Sequence, residues 1–206
     1  MDKLTIAIAK GRLGNQGLEL FKGSEYEINV KENSRKLVHY SANKKVNFIF
    51  VKPADVVTYV EKKVADLGIV GKDIILEDNK DVYEVLDLNF GKCRFVIAGF
   101  KDQNLVKKNE VLTIGTNYPA YVESIFKNKD QEIEIIKLRG AVELAPLMGL
   151  SEVIVDIVET GSTLADNGLV VLEELDPISA RLIANKVSYR FKFDEIRKIE
   201  KLLGGL

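Results

Sequence analysis

The segment VIVDIV at residues 153–158 restricts the fold of this chain more than any other part of the sequence. Its apolar residues are all β-branched, and such a run is typical of a strand that is covered on both faces in a parallel sheet. Asp156 interrupts the run. A carboxylate in such a strand is either a buried acid with its own hydrogen-bond partners or a ligand-binding group. We therefore expect a parallel sheet that contains this strand.

A turn rich in hydroxyl groups follows that strand and consists of Glu159, Thr160, Gly161, Ser162 and Thr163. Gly161 has no Cβ, so backbone N–H groups there can approach a ligand closely. Leu164 would lie at the beginning of a helix, whose N-terminus favours an anion. A sugar phosphate would suit this turn, with the nearby carboxylates on the ribose diol. The same residue types cap ordinary helices, so the turn by itself is equally consistent with a structural role.

Strands and helices alternate along the whole chain, which predicts an α/β fold. The predicted strands cover residues 4–9, 26–30, 37–40, 47–51, 66–70, 83–88, 94–100, 111–115, 133–138, 153–158, 169–172 and 178–185. One helix should follow the turn at residues 10–14 and continue through Phe21. A second should begin at Pro53, with an apolar face that reaches Val64. Further helices are predicted over residues 118–126, 142–148 and 194–203.

The order of these elements predicts two lobes. Residues 83–88 and 94–100 would cross from one lobe to the other, and residues 178–185 would return. We predict a discontinuous first lobe at residues 1–90 plus 180–206 and a second lobe at residues 91–179. Two such lobes imply a cleft, and ligands of open α/β sheets bind beyond the carboxyl ends of strands. Polar segments follow four predicted strand ends, at residues 10–12, 71–73, 116–118 and 159–163.

The charges of the chain are nearly balanced, with 30 Lys and Arg residues against 31 Asp and Glu residues. No overall field would therefore attract nucleic acid or an acidic membrane surface, and an anion site must be local. Lys10, Arg12 and Lys52 each lie at or directly after a predicted strand end, and Arg35 and Arg139 could add to a phosphate site. Each of these cations alone is more often a solvated surface charge.

The sequence offers little for several other kinds of chemistry. With one histidine and one cysteine, it gives no convincing transition-metal cluster or Ser-His-Asp triad. It has neither a Walker A motif nor a complete GxGxxG after the first strand. His39 is expected to be solvent-facing or hydrogen-bonded within a strand, and Cys93 to be a structural thiol where a buried strand starts. The N-terminus does not read as a secretory signal and no apolar run has membrane-spanning length, so we expect a cytoplasmic protein.

The region around the hydroxyl-rich turn resembles the signature of ATP phosphoribosyltransferases. The matching residues are Glu143, Gly149, Ser151, Ile154, Asp156, Thr160, Gly161, Thr163 and Leu164. Other blocks agree with the family over essentially the full length, at residues 9–13, 34–37, 52–56, 59–61, 65–73, 81–88, 118–119 and 187–190. So many ordered matches make chance a poor explanation.

The resemblance implies an enzyme that transfers the 5-phosphoribosyl group of phosphoribosyl diphosphate to N1 of ATP, giving phosphoribosyl-ATP and pyrophosphate. This reaction is the first step of histidine biosynthesis. The resemblance also implies Mg²⁺ with the phosphorylated substrates and a fold similar to type II periplasmic binding proteins, with the active-site cleft between the lobes. Solute receptors share that architecture, so the fold alone leaves a binding protein as the alternative.

By the same resemblance, two groups of residues form the active site. The catalytic residues, on the ATP and diphosphate side, would be Lys10, Arg12, Arg35 and Lys52. The substrate-binding residues would be Gly11, Leu13, Asp73, Tyr118, Glu143, Asp156, Glu159, Thr160, Gly161, Ser162, Thr163 and Leu164, and no protein metal ligands are expected. Two positions depart from the family. Lys52 replaces an arginine of many relatives and loses a bidentate fork, and Asn117 replaces a lysine and loses a charge.

The chain resembles the short form of the family. After the predicted strand that ends near residue 185, only residues 187–190 and one helix remain, too few for the histidine-binding domain of long-form relatives. In its family the short form works with a subunit that resembles the catalytic core of histidyl-tRNA synthetase. We therefore expect a homodimer that is insensitive to histidine by itself and gains histidine feedback in a hetero-oligomer with that subunit.

Overall fold

A computed structural model describes residues 3–28, 36–106 and 110–204 of the chain. The chain divides into two compact units. The first unit combines Met1–Gly91 with Ser179–Leu206, and the second unit is Lys92–Ile178. The first unit is therefore discontinuous in sequence, because the chain leaves it after residue 91 and returns to it at residue 179.

Strands and helices alternate through most of the chain. In chain order they are β1 (Leu4–Ala9), α1 (Arg12–Glu19), β2 (Val38–Tyr40), β3 (Val46–Val51), α2 (Pro53–Glu61), β4 (Leu67–Gly71), α3 (Lys72–Asp78), β5 (Tyr83–Asp87), β6 (Cys93–Gly99), β7 (Leu112–Thr116), α4 (Pro119–Phe126), β8 (Ile133–Lys137), α5 (Leu144–Leu147), β9 (Val153–Val158), α6 (Ser162–Asp166), β10 (Val170–Ile178), β11 (Ala180–Ala184), α7 (Lys186–Phe191) and α8 (Phe193–Gly204). The α/β class predicted from the sequence is confirmed.

The first unit contains a six-stranded sheet in the order β2-β3-β1-β4-β11-β5. β1 lies between two parallel neighbours, β3 and β4. β11 pairs antiparallel with β4 on one side and with β5 on the other, and β2 pairs antiparallel with β3. Since β11 is the segment that returns after the second unit, the C-terminal part of the chain completes this sheet.

Alternating side chains of β1 enter two different cores on the two faces of this sheet. Leu4, Ile6 and Ile8 pack with residues of α8 such as Ile196 in one buried cluster. Ala7 and Ala9 belong to the other cluster, which contains the apolar face of α2: Val56, Val57 and Val60. A strand that is buried on both faces reads as a continuous apolar run, which explains why β1 is recognisable in the sequence.

The second unit contains a five-stranded sheet in the order β10-β6-β9-β7-β8. β9 is the central strand and carries the VIVDIV segment, of which Val153, Ile154 and Val155 are fully buried. β9 runs parallel to β7 but antiparallel to β6, so the sheet is mixed and the expectation of a parallel sheet is wrong. The apolar run indicates that both faces of the strand are covered. Because a strand can be covered on both faces beside parallel or antiparallel neighbours, the run does not predict their direction.

Several predicted boundaries also need correction. Residues 26–28 do not form a strand, and residues 29–30 of that prediction lie outside the described part of the chain. α2 ends at Glu61, so Val64 lies beyond the helix and is 57% exposed. β10 continues to Ile178, six residues past the predicted end. It is an edge strand with one paired side, where charged residues and Pro177 are tolerated, so the apolar signal is weak.

Two short helices were not predicted. α3 begins at Lys72, directly after β4, where the sequence indicated a turn. α7 follows Asn185, whose side-chain oxygen accepts hydrogen bonds from the backbone N–H groups of Val187 and Ser188, both at 3.0 Å. Asparagine is among the preferred N-cap residues, so this helix start could have been found from the sequence.

The single histidine and the single cysteine both lie in strands, where they are at least half-buried. His39 lies in β2, is 8% exposed and hydrogen-bonds through Nε2 to the carbonyl of Lys36 at 3.1 Å. Its ring meets that of Phe50 edge to face, with 5.2 Å between the centroids. The hydrogen-bonded alternative for His39 is therefore the correct one. Cys93 is half-buried at the start of β6, as predicted.

In the described part of the chain, no helix has both the length and the apolar character needed to cross a membrane.

Candidate active site

The hydroxyl-rich turn of the second unit connects β9 to α6. Gly161 adopts a left-handed conformation, with φ 84° and ψ 5°. A Cβ at this position would meet Val158 at 3.7 Å, an ordinary contact, so the turn needs glycine for its backbone conformation rather than for space. Leu164 is 5% exposed and packs in the same core cluster as Val158. The turn is thus anchored on both sides of its polar residues.

The hydroxyl groups of this turn face outward. Thr160, Ser162 and Thr163 are exposed. The hydroxyls of Thr160 and Ser162 are 3.2 Å apart, and the backbone N–H of Ser162 donates to the Thr160 hydroxyl at 3.4 Å. Glu159 is exposed, and its carbonyl accepts a hydrogen bond from Arg94 at 3.5 Å. The turn therefore presents hydroxyls and backbone donors on an anchored base, which is what binding of an anionic group requires.

Asp156 lies two residues before the end of β9 and is half-buried. Its Oδ1 accepts a hydrogen bond from the backbone N–H of Ile157 at 2.8 Å. This bond fixes one carboxylate oxygen beside the strand, close in sequence to the hydroxyl-rich turn. A carboxylate in such a place can accept hydrogen bonds from the two hydroxyls of a ribose diol.

The turn between β7 and α4 lies at the same sheet edge as the hydroxyl-rich turn, because β7 and β9 are parallel neighbours with Thr116 paired to Val155. Tyr118 stands immediately before α4, and its ring meets Phe95 edge to face at 4.9 Å between centroids. Phe95 also stacks on Tyr121 at 4.0 Å. The aromatic contacts fix the orientation of the Tyr118 ring.

Tyr121 has a structural role in this aromatic group. Its hydroxyl donates a hydrogen bond of 2.7 Å to Asp176 of β10. Burial raises the pKa of Tyr121, and the hydrogen bond to Asp176 adds to the increase. The hydroxyl therefore stays protonated at neutral pH and ties α4 to the edge strand of the sheet.

A pocket of about 320 Å³ opens near the carboxyl end of β8. It is lined by Leu138, Arg139, Gly140, Ala141, Leu144, Ala145, Met148 and Leu150. Glu143 immediately precedes α5 and is half-buried beside this segment. The side-chain amide of Asn117 donates to the carbonyl of Gly140 at 3.4 Å and so links the pocket segment to the β7–α4 turn. The sequence did not predict this pocket, since an apolar stretch such as LAPLMGL is equally typical of a buried helix.

In the first unit, Lys10 and Lys52 follow neighbouring strands at the same point. β1 and β3 are parallel, and their last residues, Ala9 and Val51, are paired. The next residue on each strand is a lysine, and both lysines are exposed. The backbone N–H of Lys10 donates to the carbonyl of Val51 at 2.8 Å, which fixes the first lysine next to the second strand. The structure thus brings together two cations that are 42 positions apart in sequence.

The segment after Lys10 turns sharply into α1. Gly11 has φ 110°, a conformation that favours glycine. Arg12 is exposed at the first position of α1, and Leu13 is half-buried against both cores of the first unit. Asp73 lies in the first turn of α3, and its carboxylate folds back over Gly71, where a Cβ would come within 2.1 Å of Oδ1. An acid at this position also suits the helix dipole.

The predicted site residues therefore form one group in each unit. The first unit places Lys10, Gly11, Arg12, Leu13, Lys52 and Asp73 at the carboxyl edge of its parallel strands. The second unit places Tyr118, Glu143, Asp156, Glu159, Thr160, Gly161, Ser162, Thr163 and Leu164 around the ends of β7, β8 and β9. Arg35 lies outside the described residues. Among residues 3–28, 36–106 and 110–204, no group of three or more His, Cys, Asp or Glu side chains could hold a metal ion.

Comparison with known proteins identifies the family. The family model described as HisG: ATP phosphoribosyltransferase matches residues 52–205, which is well over half of the chain. The chain belongs to the ATP phosphoribosyltransferase family. An ATP phosphoribosyltransferase of Clostridioides difficile is 54% identical over 206 residues, covering 100% of this chain and 99% of the relative. One of Caldanaerobacter subterraneus subsp. tengcongensis is 52% identical over 203 residues, covering 97% and 95%.

Solved structures agree with this assignment. The ATP phosphoribosyl transferase (HisG:HisZ) complex from Thermotoga maritima contains a chain that is 32% identical to this one, with a TM-score of 0.85, covering 98% of this chain and 97% of that one. The periplasmic aliphatic sulphonate binding protein SsuA from Escherichia coli has a TM-score of 0.57 at 11% identity. SsuA shows only that the fold is that of periplasmic binding proteins, as the resemblance implied.

The ATP phosphoribosyltransferase family also settles the choice between enzyme and receptor. This chain is an enzyme that transfers the 5-phosphoribosyl group from phosphoribosyl diphosphate to N1 of ATP, the first step of histidine biosynthesis. The reaction suits the residues present, because N1 of adenine already carries a lone pair and no strong base is needed to create the nucleophile. The absence of a catalytic histidine is therefore no objection to this activity.

Proposed function

We propose that the hydroxyl-rich turn of the second unit binds the 5-phosphate of phosphoribosyl diphosphate. The observation that supports this proposal is the arrangement of exposed Thr160, Ser162 and Thr163 around the left-handed Gly161 at the end of β9. Hydroxyls and backbone N–H groups of such a turn donate hydrogen bonds to phosphate oxygens. Asp156 and Glu159 would accept hydrogen bonds from the ribose hydroxyls.

We propose further that the cations of the first unit bind the ATP phosphates and the leaving diphosphate. Lys10 and Lys52 lie side by side after paired strand ends, and Arg12 begins the helix that follows. When N1 of ATP attacks, the bond between C1 and the diphosphate oxygen breaks, and negative charge develops on the departing group. Cations held in place for that charge stabilise the transition state. Arg35 would join them by family resemblance.

Mg²⁺ fits this proposal as an ion that arrives with the phosphorylated substrates. Magnesium keeps several waters and is usually held by substrate phosphates with one or two carboxylates rather than by an all-protein cage. Asp156 and Glu159 are the nearby carboxylates of the proposed phosphoribosyl site. When bound, the ion would neutralise charge on the diphosphate. The protein itself orients the two substrates.

Two substitutions test the phosphoribosyl site. Thr163→Val removes a hydroxyl while keeping the shape, and Asp156→Asn removes the charge while keeping an oxygen for the Ile157 N–H. Loss of one hydrogen bond to a charged group costs about 1.5–3 kcal/mol, or about one to two decades in kcat/KM. We expect that loss for phosphoribosyl diphosphate in both variants, measured by pyrophosphate release with each substrate varied in turn.

Thr163→Ser is the matched control, because it keeps the hydroxyl and loses only a methyl group. It should retain most of the activity that Thr163→Val loses. Circular dichroism and thermal melting should show that all three variants are folded. If Thr163→Val and Asp156→Asn both kept the kinetic constants of the parent enzyme, the assignment of this turn would be wrong.

We also propose that the chain is a cytoplasmic homodimer that works with a second subunit resembling the catalytic core of histidyl-tRNA synthetase. The similarity to a chain of the Thermotoga maritima HisG:HisZ complex over 98% of the present chain supports a partner of this kind. The relatives match nearly end to end, so this chain is comparable with them in length.

Histidine regulation is expected to require that partner. Purified chain should be assayed for phosphoribosyl-ATP and pyrophosphate with ATP, phosphoribosyl diphosphate and Mg²⁺, across a series of histidine concentrations, with and without the partner subunit. We expect histidine to inhibit the complex saturably and to leave the isolated chain unaffected. Saturable inhibition of the isolated chain, with histidine bound to it, would contradict the proposal that the partner subunit is required for histidine regulation. Absence of product even with the partner would contradict the activity itself.

A further inference from the structure

Thr116 is a buried hydroxyl residue between two loops of the second unit. It is the last residue of β7 and is 0% exposed. The sequence placed it in the polar segment at residues 116–118 but predicted no role for it. A buried hydroxyl must find hydrogen-bond partners, since leaving it unpaired costs free energy. The partners of Thr116 show which parts of the structure depend on it.

The Thr116 hydroxyl joins β9 to the β7–α4 turn. It donates a hydrogen bond of 2.7 Å to the carbonyl of Val155, and it accepts one of 2.9 Å from the backbone N–H of Tyr118. Val155 directly precedes Asp156 in β9. One oxygen atom therefore connects the peptide group next to Asp156 with the peptide group of Tyr118, and it belongs to a residue 39 positions before Val155 in sequence.

From this geometry we propose that Thr116 is a positioning residue for phosphoribosyl transfer. It holds the backbone that carries Asp156 at a fixed position relative to the turn that carries Tyr118. The inference rests on the proposed function, because it assumes that Asp156 and the β9–α6 turn bind phosphoribosyl diphosphate. A displacement of about 1 Å in such a site can cost a hundredfold in rate, so groups that lock the backbone matter even when they do not touch the substrate.

A purely structural hydroxyl is the alternative, and the same strand offers a matched control. Thr113 also lies in β7, and its hydroxyl accepts a hydrogen bond of 3.0 Å from the backbone N–H of Glu152, just before β9. It thus links the same two chain regions at the opposite end of the strand, about 10 Å from Thr116 at the usual rise per residue. Thr113→Val should lower stability in a similar way without disturbing the residues near Asp156.

The test compares Thr116→Val, Thr116→Ser and Thr113→Val in the full chain, with its partner subunit if that is needed for turnover. Thr116→Val should raise KM for phosphoribosyl diphosphate about tenfold, the effect of about one hydrogen bond, and change KM for ATP much less. Thr116→Ser keeps the hydroxyl and should restore KM to within about threefold of the parent. Thr113→Val should lower the melting temperature but leave KM within about twofold, because its hydroxyl bonds to the backbone N–H of Glu152 and, at 3.5 Å, to the Glu152 carboxylate, both far from the site.

The inference is overturned if Thr116→Val lowers only the melting temperature, with both KM values unchanged, or if Thr116→Ser fails to rescue KM. Should Thr116→Val not fold, Thr116→Cys makes the same comparison with a thiol that bonds only weakly. Failure of the proposed phosphoribosyl site would be visible separately. It would leave Asp156→Asn and Thr163→Val fully active, whereas failure of the Thr116 inference leaves those two variants impaired.

Discussion

Gly14→Ala is expected to destabilise the first unit by about 3 kcal/mol or more and to abolish activity, since overpacking against rigid groups has few ways to relax. Gly14 is buried in the first turns of α1, where the helix crosses the end of β1. A Cβ at this position would lie 1.7 Å from the carbonyl oxygen of Ala9. Because the clashing atom belongs to the backbone of β1, the helix itself would have to move away from the strand.

Movement of α1 would carry the proposed diphosphate-binding cations with it. Arg12 is the first residue of that helix, and Lys10 and Gly11 form the turn that leads into it. The loss of activity should therefore exceed what a lower population of folded protein explains. Pyrophosphate release per folded molecule, with the folded fraction taken from urea unfolding curves, measures this difference.

Gly17→Ala is the matched control within the same helix. Gly17 is also buried, but a Cβ there would be 3.2 Å from the Ile69 side chain, which can shift by a few tenths of an ångström. Alanine also favours the helix over glycine by about 1 kcal/mol. We expect Gly17→Ala to be close to neutral in stability. If Gly14→Ala were equally harmless, the close approach of α1 to β1 would not exist as described.

The sequence best predicts those strands that have a distinctive apolar pattern within the strand itself. β1 and β9 are nearly continuous apolar runs, each interrupted by one polar residue, and their positions were predicted to the residue. The placement of Lys10 beside Lys52 also follows from the sequence, since parallel strands that end in polar residues bring those residues to one edge of a sheet. Here the paired ends Ala9 and Val51 confirm the reasoning.

Other features depend on contacts between residues that are far apart in sequence, and no local sequence pattern predicts such contacts. The direction of β6 beside β9 could not be read from VIVDIV, because an apolar run is the same in a parallel and an antiparallel setting. The role of Thr116 arises from Val155, 39 residues later in the chain. Threonine is an ordinary residue in strands and at their ends, so its place after the predicted strand 111–115 does not predict the two hydrogen bonds that Thr116 makes.

Asp66→Ala is expected to cost the first unit about 3 kcal/mol of stability, because it removes one carboxylate that serves three donors. Asp66 is 5% exposed. Its Oδ2 accepts hydrogen bonds from the Thr5 backbone N–H at 2.9 Å and from Lys192 at 3.0 Å, and its Oδ1 accepts one from Ser188 at 2.6 Å. These partners lie in β1, after α7 and in α7, so one side chain joins the start of the chain to its C-terminal helices.

Asp66→Asn separates the charge from the hydrogen bonds. The amide keeps one oxygen for Thr5 and Lys192, and its NH₂ group can donate to the Ser188 hydroxyl if that hydroxyl rotates. We therefore expect a smaller loss, about 1 kcal/mol, for Asp66→Asn. Glu19→Ala provides the exposed comparison, since Glu19 and Lys22 form an ion pair in which both side chains are 70% exposed. Exposed pairs of this kind contribute about 0–1 kcal/mol.

The Asp66 variants should be tested by the stability of the whole protein and by the protection of individual strands. Urea unfolding gives the free energy of unfolding, and hydrogen exchange shows which strands lose protection. We expect faster exchange in β1, β4 and β11, because Asn185 after β11 donates its backbone N–H to the Asp66 carbonyl at 2.9 Å. A loss for Asp66→Ala no larger than that for Glu19→Ala would show that the buried carboxylate does not hold the C-terminal helices to the sheet. The expected result would instead show that Asp66 is a polar link between the sheet and the C-terminal segment, in addition to the apolar packing of α8 residues such as Ile196 and Ile199 in the same core.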